Sequence, residues 1–117
     1  DDDTKRRLLA EVRTERQQYV DTGQPRHLLQ AGDLLKRLQQ YADAADAFFE
    51  AAVVFEREGD WGKCAACCKQ VLRMDIDRDD GRDLLARAKD AIALAKRERS
   101  EPPRGAKLRL IVSDDAE

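Results

Sequence analysis

Aromatic side chains make up only 5% of this 117-residue chain, proline occurs three times and histidine once. So few aromatics exclude a β-sandwich or barrel, whose strands draw on such residues. Three prolines and six glycines leave little material for loops. Serine stands only at Ser100 and Ser113, and no glycine-rich phosphate loop occurs, so no nucleophile set announces itself. Neither sign of charge dominates: the net charge is −2, which disfavours a general nucleic-acid binder, whose affinity comes from an excess of Lys and Arg. No apolar run reaches membrane-spanning length, and Asp1-Asp2-Asp3-Thr4-Lys5 does not read as a secretion signal. The expectation is a soluble, cytoplasmic chain without nucleic-acid or membrane partners. What is present is 42% hydrophobic and 39% charged, the composition of helices with solvated faces.

The apolar residues recur with a period of 3.6 almost throughout. A first helix is expected from about Thr4 to Asp21, capped by Thr4 or Asp3, with Leu8, Val12 and Tyr19 on its stripe. Thr22-Gly23-Gln24-Pro25 stops it and starts the next, since Gly suits the residue after a helix and Pro the first turn. The second helix, about Pro25 to Gln39, aligns Leu28, Ala31, Leu34, Leu35 and Leu38, while Leu29 falls off that stripe. The third, about Tyr41 to Glu58, carries Tyr41, Ala44, Ala45, Phe48, Ala52 and Phe55, with Phe49, Val53 and Val54 widening its apolar surface. A helix so apolar belongs at the centre. The fourth, about Asp60 to Met74, turns Trp61, Cys64, Ala65, Cys68, Val71 and Leu72 inward. The fifth, about Asp80 to Arg99, turns Leu84, Leu85, Ala88, Ile92 and Ala95 inward. Residues 1–100 thus form one helical domain. From Glu101 to Glu117 the character changes: Pro102-Pro103-Arg104-Gly105 cannot continue a helix, and Leu108, Leu110 and Val112 alternate with Arg109 and Ile111. This run reads as a linker or tail, the start of a further domain or a docking strand.

Break points recur about every 20 residues, near Gly23, Gln40, Gly59 and Gly81. Gln40-Tyr41-Ala42-Asp43-Ala44-Ala45 parallels Asp60-Trp61-Gly62-Lys63-Cys64-Ala65, an aromatic followed three residues later by a small residue. The aromatic plugs the gap left by the turn, and the small residue lets the neighbouring helix approach. Gly32, Tyr41, Ala44, Phe48 and Ala51 then fall at the glycine, aromatic, alanine, aromatic and alanine positions of the tetratricopeptide repeat, which roughly Pro25 to Arg99 resembles. Trp61, Cys64, Cys68 and Val71 repeat the second half of that motif. Ile76 follows Asp75 where such repeats place proline, and the 20-residue offset is shorter than the family's repeat of about 34, closer in rhythm to TPR-like relatives such as the SNAP adaptors. The resemblance implies an all-α, TPR-like right-handed solenoid of about five antiparallel helices with an irregular C-terminal tail. It also implies a groove face carrying Arg26, Leu29, Asp33 and Lys36, for contact with a protein or peptide partner. Asp33 stands where carboxylate-clamping repeats place asparagine, which argues against a terminal carboxylate as ligand.

Other residue clusters have plain packing as the competing reading. Cys64, Cys67 and Cys68 share one helix side, but a closed zinc site needs four ligands and the only histidine, His27, is distant in sequence. Cys64 and Cys68 read as small buried residues with Cys67 at the edge of the stripe, and a metal or redox sensor is the competing reading. Asp75 to Gly81 alternates acids like a calcium loop but lacks the glycine and glutamate at the required places, so its acids are expected to cap the fifth helix. His27 reads as structural. The basic clusters Arg6-Arg7 and Lys96–Arg99 read as solvated faces. No catalytic residue, metal or cofactor is assigned. The expectation is a non-enzymatic interaction module that acts as a scaffold or adaptor; the alternative is an oligomerisation or positioning segment of a larger signalling protein, pairing with another copy through the first helix or the Leu108–Val112 run.

Overall fold

The computed structural model describes residues 1–100 as five α-helices: α1 Asp2–Thr22, α2 Pro25–Arg37, α3 Tyr41–Arg57, α4 Trp61–Met74 and α5 Asp79–Ser100. Among the described residues there is no strand, and no helix is long and apolar enough to cross a membrane. The expected Leu108–Val112 strand-like run lies outside the described residues.

Each boundary has a local cause. The cap of α1 is Asp1 rather than Asp3 or Thr4: its carboxylate accepts the Thr4 N–H at 2.8 Å, and Asp2 and Asp3 occupy the first turn, where the helix dipole favours anions. Gly23, at φ 72°, ends α1 by donating its N–H to Tyr19 O. Pro25 opens α2, where a missing N–H costs nothing. The expected end of α2 at Gln39 is two residues too late, because Gln39 is left-handed (φ 60°) and outside the helix. Asp60 caps α4 through the Lys63 N–H at 3.2 Å.

The reversals before α3 and α4 have the same geometry 20 residues apart. The Gln40 N–H reaches Leu35 O and the Asp60 N–H reaches Phe55 O, both at 2.9 Å. In each, the preceding residue, Gln39 or Gly59 (φ 75°), takes the left-handed conformation, as a helix C-terminal turn of this type demands. Burial repeats with the same offset. Ala44, Ala45, Ala47, Phe48 and Ala51 are buried in α3, and Cys64, Ala65, Cys67, Cys68 and Val71 are buried in α4.

Each helix packs mainly on its neighbours in chain order. Val71 meets Gly81, while Trp61 borders Ala91 and Ile92, so α4 and α5 run in opposite directions. As expected, α3 is central: it supplies residues to both core clusters, one shared with Leu28, the cysteines, Leu84 and Ala88, the other with Val12, Ala31, Leu35 and Val71. Ion pairs tie it to α1 (Arg16 to Glu50, 3.5 Å) and to α5 (Arg87 to Glu56, 3.2 Å).

Several inward assignments need correction. Tyr41 is 47% exposed and Ile92 39% exposed, and Ala95 is exposed as well. Tyr41 stands at the very start of α3, and Ile92 and Ala95 lie on a helix with only one close neighbour. Cys67 is not at an edge but 4% exposed, because it sits on the side of α4 that faces α2 and α3, beside Leu29, Phe48 and Phe55. Gly81 is not a break point. It is buried inside α5, where a Cβ would lie 2.9 Å from Val71 Cγ1, so it permits close helix contact.

Candidate functional site

At 100° per residue, Leu28 and Leu29 cannot share a face. Leu28 is fully buried; Leu29, one step round α2, is half-buried and borders both core clusters. There it forms one wall of a cleft of about 380 Å³ between α2 and α4, with Asp33 beside it. Phe48 and Phe55 of α3 make the floor, and Lys63, Ala66, Cys67 and Gln70 of α4 the opposite wall. The two phenylalanines are buried, at 3% and 6% exposure, so the floor of the cleft is apolar carbon already fixed by core packing.

Charge is placed along the cleft. Lys63 Nζ lies 5.7 Å from the centre of the Phe55 ring, a cation–π contact that biases this end positive. Its ion pair with Asp60, at 3.7 Å, is exposed and weak. Phe48, which packs on Gly32, marks the other end, next to the carboxylate of Asp33. Phe48 and Phe55 are seven residues apart on one helix, about 10 Å along its axis. Gln70 contributes a polar group to the wall, its Oε1 buried without a hydrogen-bond partner.

Of the four residues expected on the groove face, the structure brings Leu29 and Asp33 into this cleft. Lys36 lies outside it, in a shallow depression with Asp33 and Arg37. Arg26 is exposed and does not line the cleft. The α4 wall was missed by reading the sequence, although Lys63, Ala66 and Gln70 lie on the exposed or half-buried side of a helix whose buried positions were named. A second cleft, about 590 Å³ between α1 and α2, is bordered by Arg7, Glu11, Glu15, Asp33 and Arg37. Its lining carries charges of both signs, so a larger share of its surface is polar than in the α2–α4 cleft.

The thiols serve the core. Burial pushes Cys67 up to about 12, with the neighbouring Cys64 adding to the shift, and burial also pushes Cys68 up to about 12. Cys64 is raised for the same reason. All three are therefore protonated at neutral pH and pack as small apolar groups. Among the described residues, no three His, Cys, Asp or Glu side chains come together as a metal-binding group.

His27 is buried at 6% exposure, and its Nδ1 lies 3.1 Å from Glu15 Oε2 of α1. With its amide turned nitrogen-inward, Gln30 also donates to both oxygens of Glu15, at 2.9 and 2.6 Å. The histidine thus joins α1 to α2, a partnership invisible in either helix alone. Of the acids expected to cap α5, Asp75 instead accepts the Asp77 N–H at 3.0 Å, closing the preceding turn. Asp79 and Asp80 lie within the first turn, and Asp80 accepts the Gly81 N–H at 2.7 Å. Hydrogen bonds from Arg78 hold the Asp80 carboxyl below the usual carboxylate range. Arg78 also reaches Asp46 of α3 at 2.8 Å and stacks over Phe49, clamping the α4–α5 turn to α3.

No family model matches the chain, and neither a curated protein nor a solved structure matches it.

Proposed function

We propose that this chain is a non-enzymatic interaction module, a TPR-like stack of antiparallel helices in the cytoplasm, whose α2–α4 cleft binds an amphipathic helix of a protein partner. The observation that carries this reading is Leu29, an apolar side chain off the core stripe that forms the wall of an apolar cleft with Asp33 near one end and Lys63 near the other. The 20-residue recurrence of turn geometry and burial supports the stacking of like units. The spacing of the cleft's ends fits two turns of an incoming helix. The occupant then carries an acidic residue toward Lys63, a basic residue seven positions away toward Asp33, and apolar residues on the face between them. Rotation of the Gln70 amide offers its unpaired oxygen to a donor on the occupant, relieving the cost of a buried orphan acceptor.

The test is selection of a displayed library of amphipathic helical peptides against the full chain, repeated with Leu29→Glu. Enrichment of acid and base seven apart around apolar positions, lost in L29E, supports the reading. Peptides that bind L29E equally well remove the cleft from it, and an enriched set that self-associates the chain points to the oligomerisation alternative instead.

A further inference from the structure

The charges that border the α1–α2 cleft are sorted by level. Glu15 meets His27 and Gln30 at one end of it, and Arg7 and Arg37 border the other, so the two helices run in opposite directions. In that register Glu11 stands across from Asp33, and one turn further along Arg7 stands across from Arg37. The cleft therefore presents a pair of carboxylates and, about 6 Å along the helix axes, a pair of guanidinium groups. All four residues are exposed, and among the described residues none of them takes part in an ion pair. Other charges on α1 are engaged: Glu15 faces His27, and Arg16 reaches Glu50. Ala10 and Leu34 also line the cleft, each within the sequence span of its helix's two charges.

We infer that this face pairs with the same face of a second copy, α1 on α1 and α2 on α2 with their directions reversed, in an isologous four-helix contact. The order of charge requires the reversal. A two-fold axis lying across the helices, midway between the two levels, sets the arginine level of each copy on the carboxylate level of the other. Arg7 then meets Glu11 of the second copy, Arg37 meets Asp33 of the second copy, and each pair occurs twice. Ala10 and Leu34 fall beside the axis, where the small side chain of Ala10 lets the two α1 helices approach and Leu34 adds apolar contact, as in the shared interior of a helix bundle. A second copy in the parallel direction would set arginine on arginine and acid on acid, which is repulsive. Self-complementarity selects the occupant: a partner of another sequence needs a matching pattern of its own, and this chain already carries one. The helix α1 packs closely on α2 alone, so its side away from the stack is open to such a copy. The contact shares only Asp33 with the α2–α4 cleft, since that residue stands on the crest of α2 between the two.

Sedimentation equilibrium of the full chain tests this. A reversible dimer that weakens as salt is raised is expected, because its ion pairs lie near solvent. Arg7→Glu with Arg37→Glu makes both levels negative, and Glu11→Arg with Asp33→Arg makes both positive. Each double variant alone is expected to lose about tenfold or more in dimer affinity, and an equimolar mixture of the two is expected to form a heterodimer. Lys63→Glu, in the α2–α4 cleft, leaves the dimer unchanged. An unsubstituted chain that stays monomeric at about 1 mM, where even weak pairing shows, overturns the assignment. So do double variants that still dimerise alone, a mixture that stays monomeric, or a dimer lost in Lys63→Glu.

Discussion

The ring of Phe48 rests on the bare backbone of Gly32: a Cβ at residue 32 would lie 2.8 Å from its Cζ. This contact sets how closely α2 approaches α3, and so sets the floor of the α2–α4 cleft. Gly32→Ala gains helix propensity of about 1 kcal/mol, but forcing the ring aside in a packed core costs about 1–3 kcal/mol. The expected outcome is a net loss of stability of about 1 kcal/mol, read as a lower urea midpoint at an unchanged slope. A midpoint equal to or above that of the unsubstituted chain would show that the ring yields freely.

Gln39 and Gly59 occupy the same left-handed position in equivalent turns, but only glycine adopts it without a steric penalty. Gln39→Gly is expected to raise stability by about 0.5–1 kcal/mol, and Gly59→Gln to lower it by a similar amount. Thermal unfolding of the two variants checks this, and shifts of the same sign would refute the equivalence of the turns.

The buried thiols make the fold sensitive to alkali. Folded Cys67 and Cys68 titrate near 12, whereas in the unfolded chain thiols ionise at about 8.5. Between these values the unfolded chain has released protons that the folded chain retains. Stability is therefore level below the ordinary thiol range and falls as pH rises through it, by about 1.4 kcal/mol per pH unit for each thiol. Cys67→Ala removes one proton's share of that slope, which denaturant titrations at about pH 8 and pH 10 resolve.

Acid acts on the opposite side, through Arg78 and Asp80. The folded pKa of Asp80 is depressed by the Arg78 hydrogen bonds, so its contribution is complete above the ordinary aspartate range and is lost as pH falls through the folded value. The pair is part-exposed, which limits this to about 0.5–1 kcal/mol. Arg78→Ala should cost about that much or slightly more at neutral pH, because the contact with Asp46 goes with it, and should flatten the acid limb of the stability profile.

How much of this was legible in the sequence depends on the range of the interaction. The period of 3.6 reports which side of a helix is apolar, so the five helices and the inward Leu28, Cys64, Cys68 and Leu84 were readable, as was the off-stripe place of Leu29. Contacts between helices are not written in any one helix. Gly81 looked like a turn former because its closeness to Val71 belongs to the pair α4–α5, and His27 gave no sign of Glu15. Some misses did have a signal. Extending the likeness of Tyr41 and Trp61 along the same 20-residue offset aligns Ala47 with Cys67 and Gln39 with Gly59, which predicts a buried Cys67 and a left-handed Gln39. The α4 wall of the cleft had none, since Lys63, Ala66 and Gln70 look like ordinary outer-face residues until α2 is placed across from them.

The most direct test of the cleft as a helix-binding site is a charge swap. A synthetic amphipathic helix with glutamate and lysine seven apart, flanking leucines, is titrated by calorimetry into the full chain, into Lys63→Glu, and into the double variant Asp33→Lys with Lys63→Glu. A second peptide has the two charges exchanged. The account predicts that the first peptide prefers the unsubstituted chain, that Lys63→Glu weakens it about fivefold or more, and that the double variant prefers the exchanged peptide. Equal affinity of both peptides for both chains, or no binding of either, would contradict it.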